Sequence, residues 1–178
     1  MNWVYIHILF NHTPVILGGL AAFTAILALI SGHRMLWVYT AVTLTLAGLS
    51  AYPTSVSGEK ASRIFRQRVP SAREAIHSHE EAADITLWVL LGSGVLGVIG
   101  WYRLGSDDPA APVPGWVKVA LTIPALASLG AVAVTAELGG KIAHQPWETS
   151  FAAPPTLSAD STIKVGAPLP PPDTAAKK

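Results

Sequence analysis

The chain of 178 residues contains no cysteine. Without thiols the protein cannot form disulfides, thiolate zinc sites or iron–sulfur clusters, and it cannot attach haem covalently. Histidine and carboxylate side chains are therefore the main groups left to hold a metal or a cofactor.

Charged residues are also scarce. They make up 13% of the chain, whereas soluble domains contain roughly 25%. The formal net charge is only +1, so nucleic-acid binding, which needs a basic face, is not expected. The first 33 residues include no Asp, Glu, Lys or Arg, and 51% of the whole chain is hydrophobic. This composition indicates an integral membrane protein.

Four apolar segments are long enough for the bilayer, whose hydrocarbon core needs about 20 apolar residues. They cover residues 13–31, 35–51, 71–102 (whose apolar half is 85–102) and 119–136. The short turn between the first two segments, at residues 32–34, makes the second helix antiparallel to the first. The sequence therefore predicts an all-α integral membrane up-down four-helix bundle over residues 1–144, followed by a proline-rich tail over residues 145–178.

The connection between the second and third segments, residues 53–70, is polar and basic. Its apolar residues recur at helical spacing, which predicts a short helix lying on the membrane surface. Residues 53–73 carry five Lys/Arg. By the positive-inside rule this end, together with both termini, is expected in the cytoplasm.

Five of the six histidines fall at one end of an up-down bundle, and only His33 falls at the other. At about 1.5 Å per residue, counting from the uncharged segments puts three of them at similar heights outside the hydrocarbon core. A second tier, which includes two carboxylates, lies at the edge of the core. The candidate site residues at this end are His7, His12, His77, His79 and His144, supported by Glu59, Asp84 and Glu137.

Three chemistries suit this end of the bundle. Haem b needs two imidazoles at matched depth on facing helices, and His79 with His7 or His12 would supply them; Met35, the only internal methionine, is at the other end. A metal ion is the second, with ligands among His12, His77, His79 and His144. The third is a quinone head group or a proton relay. Alternatively, the carboxylates only form ion pairs, such as Glu137 with Lys141.

Short motifs at the ends of the helices carry a family resemblance. They are Asn11-His12-Thr13-Pro14, Ser57-Gly58-Glu59-Lys60-Ala61, His79-Glu80-Glu81-Ala82-Ala83 and Glu137-Leu138-Gly139-Gly140-Lys141 followed by His144. In order and spacing the chain resembles the bacterial "predicted membrane protein" family of four-helix membrane domains of unknown function. The resemblance implies a redox-associated membrane subunit. It carries over His12, Glu59, His79, Gly139, Gly140 and His144 as the matching positions.

The tail from residue 145 holds seven of the 14 prolines. Composition alone is typical of a disordered segment, but its spaced apolar residues predict a strap that binds other subunits of a membrane complex. Two functions remain open. In the first, the protein is an electron-transfer subunit with haem b or a metal. In the second, it is a cofactor-free anchor subunit held to its partner by the tail. A transporter or a stand-alone enzyme is less favoured, since four short spans offer no obvious nucleophile or transport pathway.

Overall fold

The computed structural model describes residues 2–106, 108 and 111–145. It contains helices α1 (Trp3–Ser31), α2 (Arg34–Arg68), α3 (Arg73–Ser106) and α4 (Gly115–His144), with a 3₁₀ turn over Pro70–Ala72 before α3. No strand occurs in these described residues. The predicted strap over residues 146–178 lies outside them.

The four helices form an up-down bundle. α1 packs mainly against α2 and α4, and α3 packs mainly against the same two helices, so α1 and α3 stand on one diagonal. Gly32, in the left-handed conformation with φ 71°, closes α1, and its N–H donates to the Ala28 carbonyl. The all-α four-helix prediction is confirmed. All four helices are long and apolar enough to cross a membrane.

The predicted break at Pro53 is wrong. α2 continues through Pro53 to Arg68, so no separate surface helix forms over residues 53–70. A proline removes one helix donor and disturbs the turn before it. The helix continues here although the Leu49 carbonyl lacks its usual N–H donor, and the nearby hydroxyls of Ser50 and Thr54 bond to other carbonyls of the same helix, those of Ala47 and Ser50.

Tertiary packing also holds the distal part of α2 in the bundle. A small apolar core of Val69, Ala72 and Ile76, joined by Phe65 and Ile142, connects the ends of α2 and α4 to the start of α3. An ion pair between Arg66 and Glu80 adds a link from α2 to α3. With 35 residues, α2 is about 52 Å long and exceeds the roughly 30 Å of the hydrocarbon core. The histidine end of the bundle therefore extends beyond the core.

The interior of the bundle is built from small and hydroxyl-bearing residues. Ala21, Ala25 and Ala41 are fully buried. Side-chain hydroxyls pair between helices, at Thr24 with Thr40 (3.0 Å), Thr86 with Thr135 (2.8 Å) and Ser93 with Ser128 (3.0 Å). Small residues and polar pairs are what bring membrane helices together, since lipid offers no hydrophobic drive for packing.

The outer surface carries the large apolar side chains instead. Phe23 is 58% exposed, Trp88 72% and Ile30 78%. Continuous apolar surface of this kind is unfavourable in water, and it is compatible with contact with a lipid bilayer.

Candidate functional site: two inward imidazoles on diagonal helices

Two histidines, His7 on α1 and His79 on α3, face the interior at the same end of the bundle. Both rings are half-buried. His7 lies seven residues before the buried Pro14, on the stripe of α1 that turns inward. The helices that carry the two imidazoles, α1 and α3, stand on one diagonal of the bundle.

The hydrogen bonds around His7 determine its tautomer. Its Nδ1 lies 3.3 Å from the Ser57 Oγ, and the Ser57 hydroxyl donates its only proton to the Thr54 carbonyl at 2.9 Å. The Thr54 carbonyl also lies near the His7 ring. When the two bonds form together, the His7 Nδ1 is the donor, because the one proton of Ser57 is then given to Thr54. In the neutral ring the Nε2 then carries a bare lone pair.

His79 has the same tautomer for a simpler reason. Its Nδ1 lies 3.1 Å from the Thr135 carbonyl oxygen on α4, and a carbonyl can only accept. Nδ1 therefore carries the proton and Nε2 does not. Neither Nε2 has a hydrogen bond to any other group in the described residues. A ring fixed by an Nδ1–H bond to a backbone carbonyl, with Nε2 left open, is typical of histidines that ligate metals.

Each ring also lies against a glycine. A Cβ added to Gly58 would be 3.0 Å from the His7 Cε1, and one added to Gly139 would be 3.2 Å from the His79 Cε1. Both distances are tighter than ordinary contacts, so a larger residue would push the ring from its place. The two glycines thus fix the rings from the side, while Ser57 and Thr135 fix their rotation.

The donor set consists of two imidazole nitrogens. In the described part of the chain, no group of three or more His, Asp or Glu side chains lies together as a metal site. A bare zinc ion normally takes three or four protein ligands. A porphyrin iron brings four nitrogens of its own and needs only axial ligands from the protein. Two bare Nε2 atoms on diagonal helices therefore fit haem b in chemistry and number.

The other predicted histidines lie elsewhere on the bundle. His12 is on the outer face of α1, with its Nδ1 2.9 Å from the Ile8 carbonyl of its own helix. His77 is exposed, and its Nε2 lies 3.3 Å from the Glu81 carboxylate. His144 is exposed in the last turn of α4. The structure does not bring these three side chains to His7 and His79.

The predicted supporting carboxylates are also peripheral. Glu59 pairs with Arg63 one turn along α2, and Glu137 pairs with Lys141 at 2.8 Å on α4. Asp84 is exposed on α3. Each of the two pairs is exposed, so its net contribution to stability is small.

Among the neighbours of the rings, the sequence interpretation missed Thr135, and it quoted Ser57 and Gly58 in a motif without giving them a role at the site. Ser57 and Gly58 directly precede the Glu59 that the motif drew attention to, and a serine–glycine pair beside a predicted site was the available signal. Asn11 was missed as well. It lies one helical turn after His7, and its Oδ1 is buried without a hydrogen-bond partner in the described residues.

The chain was compared with protein-family models, curated proteins and solved structures, and none of them matches. The resemblance to the four-helix membrane family therefore stays a prediction. The positions of His7 and His79, and the groups that fix them, are the basis for a functional assignment.

Proposed function

We propose that the protein is an integral membrane subunit that holds one haem b between His7 and His79 and takes part in electron transfer. The observation that supports this proposal most strongly is the matched state of the two rings. Each donates from Nδ1 to a fixed oxygen, and each turns an unprotonated Nε2 away from that bond. An imidazole in this state is ready to ligate without a change of tautomer.

The protein's own groups would then set how the haem is held. The Thr135 carbonyl and the Ser57 hydroxyl orient the rings and raise the basicity of the ligating nitrogens by accepting from Nδ1–H. Gly58 and Gly139 let the His7 and His79 rings pack closely against α2 and α4. When bound, the haem iron supplies reversible one-electron chemistry between its ferric and ferrous states.

The place of the two rings suits exchange between the bilayer and a partner. Both lie at the end of the bundle where the helices leave the hydrocarbon core. In the proposed function, electrons pass between a lipid-soluble donor and a partner complex at this end. The basic residues from 53 to 73 favour the cytoplasmic face of a bacterial inner membrane for it.

Haem titration of the purified full chain tests the proposal. The wild type should take up one equivalent of haem and develop a reducible Soret band. His7→Ala and His79→Ala should each weaken binding by at least about 100-fold, the upper end expected even for losing a second-shell partner of a metal ligand. His12→Ala and His77→Ala are matched controls from the same helices, and each should bind like the wild type.

A different pattern would refute the proposal. If the wild type takes up no haem, or if His12→Ala and His77→Ala are as damaging as the two inward variants, the inward pair is not the ligand set.

A further inference from the structure

A cleft of about 300 Å³ opens between α1 and α2 beside His7. Its walls are mostly apolar and aromatic, with Trp3 and Phe10 on α1 and Tyr52 on α2. Its polar group is Ser57, the residue bonded to the His7 Nδ1. The Lys60 ammonium lies 3.9 Å from the centre of the Trp3 ring, as a cation–π contact. An apolar cleft of this size with one placed polar group is typical of a small-molecule site.

The cleft lies at the level where a lipid-soluble molecule would present its head group. Phe10 and Tyr52 stand near the ends of the predicted apolar segments at residues 13 and 51, which places them near the expected edge of the hydrocarbon core. Ser57 is five residues beyond Tyr52 along α2, about 8 Å further out. Phe10 is 41% exposed and Tyr52 65% exposed. A ring can therefore enter from the lipid side while its tail stays in the bilayer.

The hydrogen bonds of Ser57 select the chemistry of the occupant. Its proton is donated to the Thr54 carbonyl, and one lone pair accepts from the His7 Nδ1. One acceptor position on Oγ remains. In this hydrogen-bond arrangement a donor such as a hydroquinone hydroxyl can bind Ser57 directly, whereas a quinone carbonyl can bind it only if the Ser57 hydroxyl gives up its bond to Thr54. The aromatic walls suit a flat ring, which stacks on aromatic faces.

We infer that this cleft binds the head group of a lipid-soluble quinol, with one ring hydroxyl donating to the Ser57 Oγ. The inference rests on the proposed function, because it supplies the electron donor of the same site. An acyl chain of a phospholipid is the competing occupant, and it would fill the apolar part without using Ser57.

Equilibrium binding of a radiolabelled short-chain ubiquinol to the full chain tests the inference. The protein is placed in nanodiscs of phosphatidylethanolamine and phosphatidylglycerol, and the haem content of the same sample is read optically. The wild type should show saturable binding, with the oxidised quinone bound several-fold more weakly. Ser57→Ala should weaken quinol binding by about tenfold, the loss of one hydrogen bond. Phe10→Leu should weaken it without touching the His7 contacts.

Phe23→Leu is the matched control, because Phe23 is an exposed phenylalanine on the same helix away from the cleft; it should bind like the wild type. The inference is overturned if Phe10→Leu and Phe23→Leu bind equally, or if an alkylbenzene of the same chain length competes as well as the quinol. Saturable, Ser57-dependent quinol binding in a protein that takes up no haem would support the cleft and refute the proposed haem function. Haem uptake without saturable quinol binding would support the proposed haem function and refute quinol binding in the cleft.

Discussion

The bilayer-spanning part of the bundle and its histidine end use glycine for different purposes. In the spanning part, Gly48, Gly94 and Gly97 let the backbones of α2 and α3 touch, and a Cβ on Gly97 would lie 2.6 Å from the Ala41 carbonyl oxygen. At the histidine end, Gly58 and Gly139 make room for a ring rather than a backbone. The comparison separates two roles: glycine that builds the scaffold, and glycine that shapes a site.

The polar groups divide in the same way. In the spanning part, many hydroxyls bond one another or their own helix, as Ser93 and Ser128 do, whereas the Trp37 Nε1 and the Thr122 Oγ1 are buried without a partner in the described residues. At the histidine end, polar groups leave capacity unused, since the two Nε2 atoms and one lone pair of Ser57 have no partner in the described residues. The free groups at the histidine end include two imidazole nitrogens that can ligate a metal, so this end of the bundle is the one suited to binding.

Gly97→Ala should give the largest change in stability. It should leave the groups around His7 and His79 unchanged. The added methyl meets the Ala41 carbonyl and the Thr45 hydroxyl, so α2 and α3 must move apart. We expect a loss of roughly 1–3 kcal/mol in the free energy of unfolding, as for other overpacked contacts. Reversible unfolding in mixed detergent micelles measures it.

Gly92→Ala is the control for this loss. Gly92 lies on the same helix, and a methyl added there would have no atom within 4 Å, so its substitution should be neutral or stabilise by up to about 1 kcal/mol. Equal effects of the two substitutions would show that α2 and α3 do not depend on close backbone contact.

Gly139→Ala should lower haem affinity and leave the stability of the bundle unchanged. Its methyl would press on the His79 ring at 3.2 Å and move the ring by a few tenths of an ångström, while α4 stays in place. Haem affinity should fall about tenfold, the lower end of what a disturbed second-shell contact costs a metal ligand. Gly140→Ala adds its methyl where no atom lies within 4 Å and should bind haem normally. If haem affinity falls in both variants, or in neither, Gly139 is not the residue that positions the His79 ring.

Ser128→Ala should have the smallest effect. The Ser128 hydroxyl donates to the Ser93 Oγ at 3.0 Å in the buried interior, and hydrogen bonds between membrane helices average about 0.6 kcal/mol. Ser106→Ala, which removes only an exposed bond to the Tyr102 carbonyl of its own helix, should give no measurable change in the same unfolding assay. A loss above about 2 kcal/mol for Ser128→Ala would mean that the hydroxyl pairs, rather than the glycines, hold the spanning part together.

The sequence predicted the four helices because each apolar segment is by itself long enough to indicate a membrane-spanning helix. It failed at Pro53, because a proline indicates a helix end only if nothing else holds the chain. Here Phe65, Ile76 and Ile142, which are far apart in sequence, pack together and keep α2 in the bundle. Packing between distant segments is not visible in local sequence.

The sequence predicted where the histidines lie along the bundle axis, but not which way their side chains point around the helix. Counting residues puts His7 and His79 at one level, but it does not show which way a side chain turns around its helix. In a soluble protein the polar and apolar faces would show it. In this bundle the lipid face is as apolar as the interior, so nothing in the sequence separates the inward His7 from the outward His12. Ser57 and Thr135, which lie 50 and 56 residues from the rings they bind, needed the tertiary fold.

Electron paramagnetic resonance of the ferric, haem-loaded protein is the most direct test that His7 and His79 share one iron. The wild type should give a low-spin signal, since two imidazoles provide a strong axial field, and His7→Ala or His79→Ala should each convert it to high spin. A high-spin signal in the wild type, or a low-spin signal that survives either substitution, would contradict the shared site.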